Sequence, residues 1–135
     1  MDSAVPPDPG AYLLLIELAA PLALEIPRLG AAILPPGRYA YGGSAYGPGG
    51  LRARIGRHLR RDKAQRWHVD RLTAAGRVIG VRAVPGGREC ALVRDLLTVP
   101  GTSVPVPGFG SSDCRACPAH LVRPPAGFEP ATLGV

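Results

Sequence analysis

From Ala11 to Leu18 the chain reads AYLLLIEL, apolar at nearly every position rather than at every second or every third. The run is short for a helix and predicts a strand buried on both faces. Pro21 breaks it, and LALEIPRLG then alternates around Glu25 as far as Gly30, which predicts a second, paired strand. Pro35-Pro36-Gly37 supplies a turn into a short aromatic strand, with Tyr39 and Tyr41 on one face. After the loop YGPGG the period changes to four: Leu51, Ile55 and Leu59 form the apolar stripe of a helix. Arg54 and His58 share a side beside that stripe, and Arg52, Arg57, Arg60 and Arg61 face solvent.

RWHVDRLTAAG predicts a second helix, ended by Gly76. RVIGVRAV alternates as a strand over 77–84, and GGRECALVRDLLTV returns to helical spacing through Leu92, Val93, Leu96 and Leu97. Glu89 falls in the first turn of that helix, where the dipole favours a carboxylate. A long loop, PGTSVPVPGFGSSD, precedes CRACPAHLV and a short closing strand. The order β-β-β-α-α-β-α predicts an α+β domain, a small, mostly antiparallel sheet of three to four strands flanked by helices.

At 135 residues the chain suits one domain. Proline and glycine are abundant, 16 and 18 residues, and six of the prolines fall in the end stretches 1–10 and 123–135. The expected organisation is a flexible arm at 1–9, a domain at 10–123 and a flexible tail at 124–135. Asp2 without a basic region does not fit the usual pattern of a signal peptide, so none is expected. The apolar stretch 11–26 carries Glu17, Pro21 and Glu25 and is too short for a membrane span, so a soluble, cytoplasmic protein without a membrane partner is expected. Three cysteines, an odd count, argue against a disulfide framework.

The net charge of +6 changes the picture through its placement. Residues 52–71 hold eight of the 16 basic groups and only two of the 10 acidic ones, so the other 115 residues carry eight of each sign. The entire excess lies in one short stretch. A localised basic face is the footprint of a polyanion binder, and nucleic acid is the partner class it favours over a merely solvated helix.

A phosphodiester-cutting site needs a group to deprotonate water, a carboxylate to hold a divalent metal, cations for the transition state and a basic approach surface. Tyr12 and Tyr41 fall on strands that can be neighbours, Arg54 and His58 on one face of the following helix, and Glu89 at the start of a later one. Such a set can converge where the sheet edge meets the helix N-termini. No Walker loop, dinucleotide fingerprint or zinc-protease motif is present.

Six stretches carry a resemblance: GAY at 10–12, YAYGGSA at 39–45, GLRARIGRH at 50–58, RWHVDRL at 66–72, REC at 88–90 and GFGSSDCRACPAHL at 108–121. In this order the chain resembles the GIY-YIG nuclease superfamily. It is most similar to a GIY-YIG-like branch filed as a domain of unknown function, which occurs alone or fused to an endonuclease III glycosylase. The resemblance implies a GIY-YIG-like fold and a metal-dependent DNA endonuclease that hydrolyses phosphodiester bonds in DNA repair or processing. It makes Tyr12 the first tyrosine and candidate general base, and Tyr41 the second, which orients water or phosphate. Arg54 is implied as the charge-stabilising arginine, His58 as the histidine one turn later, and Glu89 as the single carboxylate for one Mg²⁺ or Mn²⁺ ion. No small-molecule cofactor is implied, and a DNA-repair glycosylase is a candidate partner. Arg52, Arg57, Arg60, Arg61, Lys63, Arg66 and His68 would line the DNA backbone. The alternative is a non-catalytic nucleic-acid-binding module on the same fold.

Cys114, Cys117 and His120 stand three apart, and a Cys-x-x-Cys pair suits zinc, with Cys90 or His68 as a fourth ligand. A second ligand pair at the usual spacing is missing, so the sequence weighs against structural zinc. A small zinc-stabilised interaction domain is the third alternative.

Overall fold

β1, Gly10–Leu18, is central because it is apolar on both faces and can be covered on both. The computed structural model describes residues 5–26, 30–60, 69–109 and 119–125. Along the chain β1 is followed by β2 (Leu22–Ile26), β3 (Gly30–Leu34), β4 (Gly37–Ala45), α1 (Gly50–Leu59), α2 (Asp70–Ala75), β5 (Arg77–Pro85), α3 (Glu89–Leu97) and β6 (Leu121–Val122). The main sheet runs β5-β1-β4-β6, antiparallel throughout, and β2 with β3 makes a separate antiparallel pair. The α+β class with a mostly antiparallel sheet is thus what the sequence pattern predicts.

Alternation along β1 divides the core. Tyr12, Leu14, Ile16 and Leu18 point to one side with Tyr39 and Tyr41 of β4, and join Leu51 and Ile55 of α1, Leu72 of α2 and the β2–β3 pair. Ala11, Leu13 and Leu15 point to the other and meet Leu92, Val93 and Leu96 of α3. The sheet is therefore the middle layer, with α1 and α2 on one face and α3 on the other. Ahead of β1, Val5 is buried in the first cluster. The carbonyls of Pro6 and Asp8 accept hydrogen bonds from the Arg52 and Leu51 amides in the opening turn of α1, at 3.1 and 2.9 Å.

Two features differ from the sequence pattern. Four strands precede α1, not three, because AAIL at 31–34 lies in a strand of its own. And β2 pairs with β3, not with β1. The reason is one-sided polarity. Leu24 and Ile26 are buried while Ala23 and Glu25 are exposed, so β2 suits a hairpin laid on the core and not an inner position of the main sheet.

Candidate functional site

In the β1–β4 register Tyr12 lies opposite Gly43. A Cβ at position 43 would run into the Tyr12 ring, so glycine there leaves the ring room to lean across β4 toward α1. On α1, His58 follows the apolar stripe inward and is buried. Tyr12 Oη and His58 Nε2 then stand 2.6 Å apart in a buried hydrogen bond. The Tyr41 ring meets the His58 imidazole edge-on at 6.1 Å between centroids, and Phe109 packs against the far side of Tyr41 at 6.4 Å. Arg54, one turn before His58, donates from Nη1 to the Ser44 carbonyl at 3.0 Å.

The electrostatics of the two tyrosines do not favour a free phenolate base. Burial pushes the Tyr12 phenol well above its ordinary value, and neighbouring Tyr41 adds to the rise; Arg54 opposes both and does not offset them. Tyr41 is also pushed far up, first by burial and then by the Glu89 carboxylate, again with Arg54 opposing. The physical reason is that a phenolate loses its hydration in an apolar interior, and one partly exposed guanidinium returns only part of that loss. These shifts also place Arg54 and Glu89 within electrostatic reach of both rings.

Glu89 opens α3 and is half-buried. A side chain at Gly42 would meet Val93 Cγ2 at 2.7 Å, so glycine there lets the first turns of α3 lie close on β4. On the other side of Gly42 runs the segment entering β6. The Gly42 amide donates to the His120 carbonyl, and the His120 amide to the Phe109 carbonyl, both at 2.8 Å. His120 is buried, with Nε2 at 3.5 Å from Cys90 Sγ. One donor atom each from Glu89, Cys90 and His120 lie within 4.8 Å of one another, a cluster that could hold a metal ion. The Cys90 sulfur is disulfide-bonded. An odd cysteine count excludes complete pairing but leaves room for one bond.

The basic residues divide. Arg57 was expected to face solvent, and here the structure corrects the pattern. Its Nη1 and Nη2 fork onto Asp70 at 2.9 and 3.0 Å, and the Asp70 side chain is wholly buried. A buried carboxylate needs such a partner, and Arg57 on α1 reaches the start of α2 to supply it. Arg52 is exposed, with Nε donating to the Val5 carbonyl at 2.8 Å. Arg60 is exposed at the C-cap of α1. Arg61, Lys63, Arg66, His68, Cys114 and Cys117 lie outside the described residues.

The sequence reading did not single out Phe109, the Ser44 carbonyl or Tyr46 as neighbours of this site. Tyr46 donates its hydroxyl to the Gly87 carbonyl at 2.7 Å while its ring stays exposed. Only the glycine opposite Tyr12 gave a local signal, since it marks close approach by a bulky neighbour.

Fold and site together define an α+β domain with a buried tyrosine–histidine centre beside a glutamate–cysteine–histidine cluster. The chain belongs to the family described as domain of unknown function DUF123, whose model matches residues 11–132. No curated protein and no solved structure matches it. Among the described residues no helix is long and apolar enough to cross a membrane.

Proposed function

We propose that this domain is a metal-dependent DNA endonuclease that hydrolyses phosphodiester bonds with GIY-YIG-type chemistry, in DNA repair or processing. The observation that carries the reading is convergence. Tyr12 of β1 and Tyr41 of β4 are the two buried phenols, and Arg54 and His58 of α1 and Glu89 of α3 each bear on one or both of them. DNA is the partner that the basic stretch favours, with a repair glycosylase suggested by the resemblance alone.

Glu89 offers a hard oxygen donor, which fits Mg²⁺ or Mn²⁺ with most of the coordination shell left to water. Such an ion supplies Lewis-acid stabilisation of charge on a phosphate. The protein's own groups do the rest. Arg54 brings a fixed cation to the charge that develops on the phosphoryl oxygens. Tyr12 keeps its proton at neutral pH, so it is not a free base. It can take a proton from water only as its own passes to an unprotonated His58 Nε2, 2.6 Å away. The base is thus the pair, with His58 the final acceptor. Tyr41, edge-on to His58, orients the imidazole.

The test is cleavage of labelled duplex, nicked, flap and single-stranded DNA with Mg²⁺ or Mn²⁺, with Glu89→Ala and a chelator-treated sample alongside. Cleavage by the wild type that both controls abolish is the expected result. Salt-sensitive binding without cleavage, unchanged in Glu89→Ala, would leave a binding module and overturn the enzyme.

A further inference from the structure

Three different donor types meet beside Gly42: a carboxylate oxygen, a sulfur and an imidazole nitrogen. Glu89 and Cys90 are adjacent in the opening turn of α3, and His120 arrives from the segment before β6, held by backbone hydrogen bonds to Phe109 and Gly42. We propose that Glu89, Cys90 and His120 form a thiol-gated site for a borderline-soft divalent cation of the zinc class, competent when Cys90 is reduced and blocked while it is disulfide-bonded.

The geometry supports this in one measurable distance. Zinc with a sulfur ligand at about 2.3 Å and an imidazole nitrogen at about 2.05 Å, arranged tetrahedrally, sets those two atoms about 3.6 Å apart. Cys90 Sγ and His120 Nε2 stand 3.5 Å apart. The donor set agrees, since sulfur and nitrogen donors suit zinc and leave Mg²⁺ poorly served. Three protein donors leave a fourth position for water or another ligand, the pattern of an open site. His120 is only 3% exposed, and its imidazole already lies beside the Cys90 sulfur of another element, so reduction need not bring the two together from afar.

The disulfide decides whether the site can load. With Cys90 in a disulfide, only Glu89 and His120 remain as strong donors. A dithiol reductant gives two electrons and two protons: the protein S–S bond breaks to two thiols, and the dithiol closes to its own disulfide. Zinc then takes Cys90 as the thiolate, whose proton leaves to solvent. This site goes beyond a hard cation at Glu89 and does not depend on nuclease activity, although the two ions would compete for the same carboxylate.

The experiment uses the full chain, reduced with a dithiol and desalted without air. Zn²⁺ is titrated against a chromogenic chelator, and Co²⁺ is followed in the near ultraviolet. The expected result is one zinc per chain and a thiolate-to-cobalt charge-transfer band, both lost when the same sample is reoxidised. Cys90→Ser and His120→Gln should each bind zinc at least about 10-fold more weakly. Equal affinity in the oxidised and reduced protein, zinc binding without the cobalt band, or full affinity in Cys90→Ser would each overturn the proposal. The oxidised wild type is the control that needs no substitution, so a variant that misfolds leaves the comparison intact. DNA cleavage is not read, so this result and that of the nuclease test stand apart.

Discussion

The Tyr12 hydroxyl on β1 meets Nε2 of His58 on α1 across 2.6 Å of buried space, so one hydrogen bond ties the central strand to the first helix. Tyr12→Phe keeps the ring and removes the bond, leaving a buried nitrogen without its phenol. We expect a stability loss of about 1–3 kcal/mol, seen as a lower denaturant midpoint at unchanged slope. If the pair is the base, cleavage should also fall by about 10²–10⁴-fold. Full cleavage by the variant would remove Tyr12 and its proton path from the mechanism.

The same contact depends on what lies opposite. Tyr12 occupies the space that a Cβ at Gly43 would need. Gly43→Ala should therefore push the ring off His58 and destabilise the domain by about 1–3 kcal/mol through overpacking. The histidine resonances of the variant, followed by NMR, should move with the ring. An alanine accommodated with unchanged stability and unchanged His58 signals would show that the ring has another seat.

Much of this was legible in the chain. The nearly continuous apolar run at 11–18 announced a strand covered on both sides, and Leu51 and Ile55 announced the inward stripe of α1. Period alone could not say that β2 belongs to a separate pair, because alternation marks one buried face and not the neighbouring strand. His58 sits four residues after Arg54, which placed the two together, but sequence could not show that His58 turns fully inward while Arg54 stays half-exposed. Nor could it set the tyrosine pKa values, which follow from the depth of burial and not from residue type. The approach of His120 to Cys90 joins residues 30 apart through the closing strand, a contact that motif spacing does not contain.

Arg57 and Asp70 form a forked ion pair with the carboxylate wholly buried. Arg57→Ala would strand that charge, so a loss of about 3–5 kcal/mol is expected. Replacing both, as Arg57→Met with Asp70→Leu, should recover most of it. The pair also separates structural from solvent-facing cations. Arg60→Ala should lower the salt dependence of DNA binding by about one unit of slope if that residue meets a phosphate. The paired Arg57 should contribute little beyond its effect on folding. Equal slopes for the wild type and Arg60→Ala would take the end of α1 out of the interface.

Alkaline pH tests the buried phenols directly. Tyr12 and Tyr41 are both held protonated far above the ordinary value of 10.0. Below about pH 10 the folded and unfolded chains both keep these protons, and stability is independent of them. Above it the unfolded chain releases protons that the folded one retains. The unfolded state then binds fewer protons, so stability falls by about 1.4 kcal/mol per pH unit for each phenol. Guanidinium midpoints between about pH 8 and 11 should hold level and then drop, and Tyr12→Phe or Tyr41→Phe should each make the drop shallower, with Tyr39, also raised by burial, contributing to what remains. A stability curve flat through this range would mean that the phenols ionise as easily in the fold as in the open chain. Burial of the two rings would then carry no cost for the phenolate, and Tyr12 and Tyr41 would not be a deeply desolvated pair.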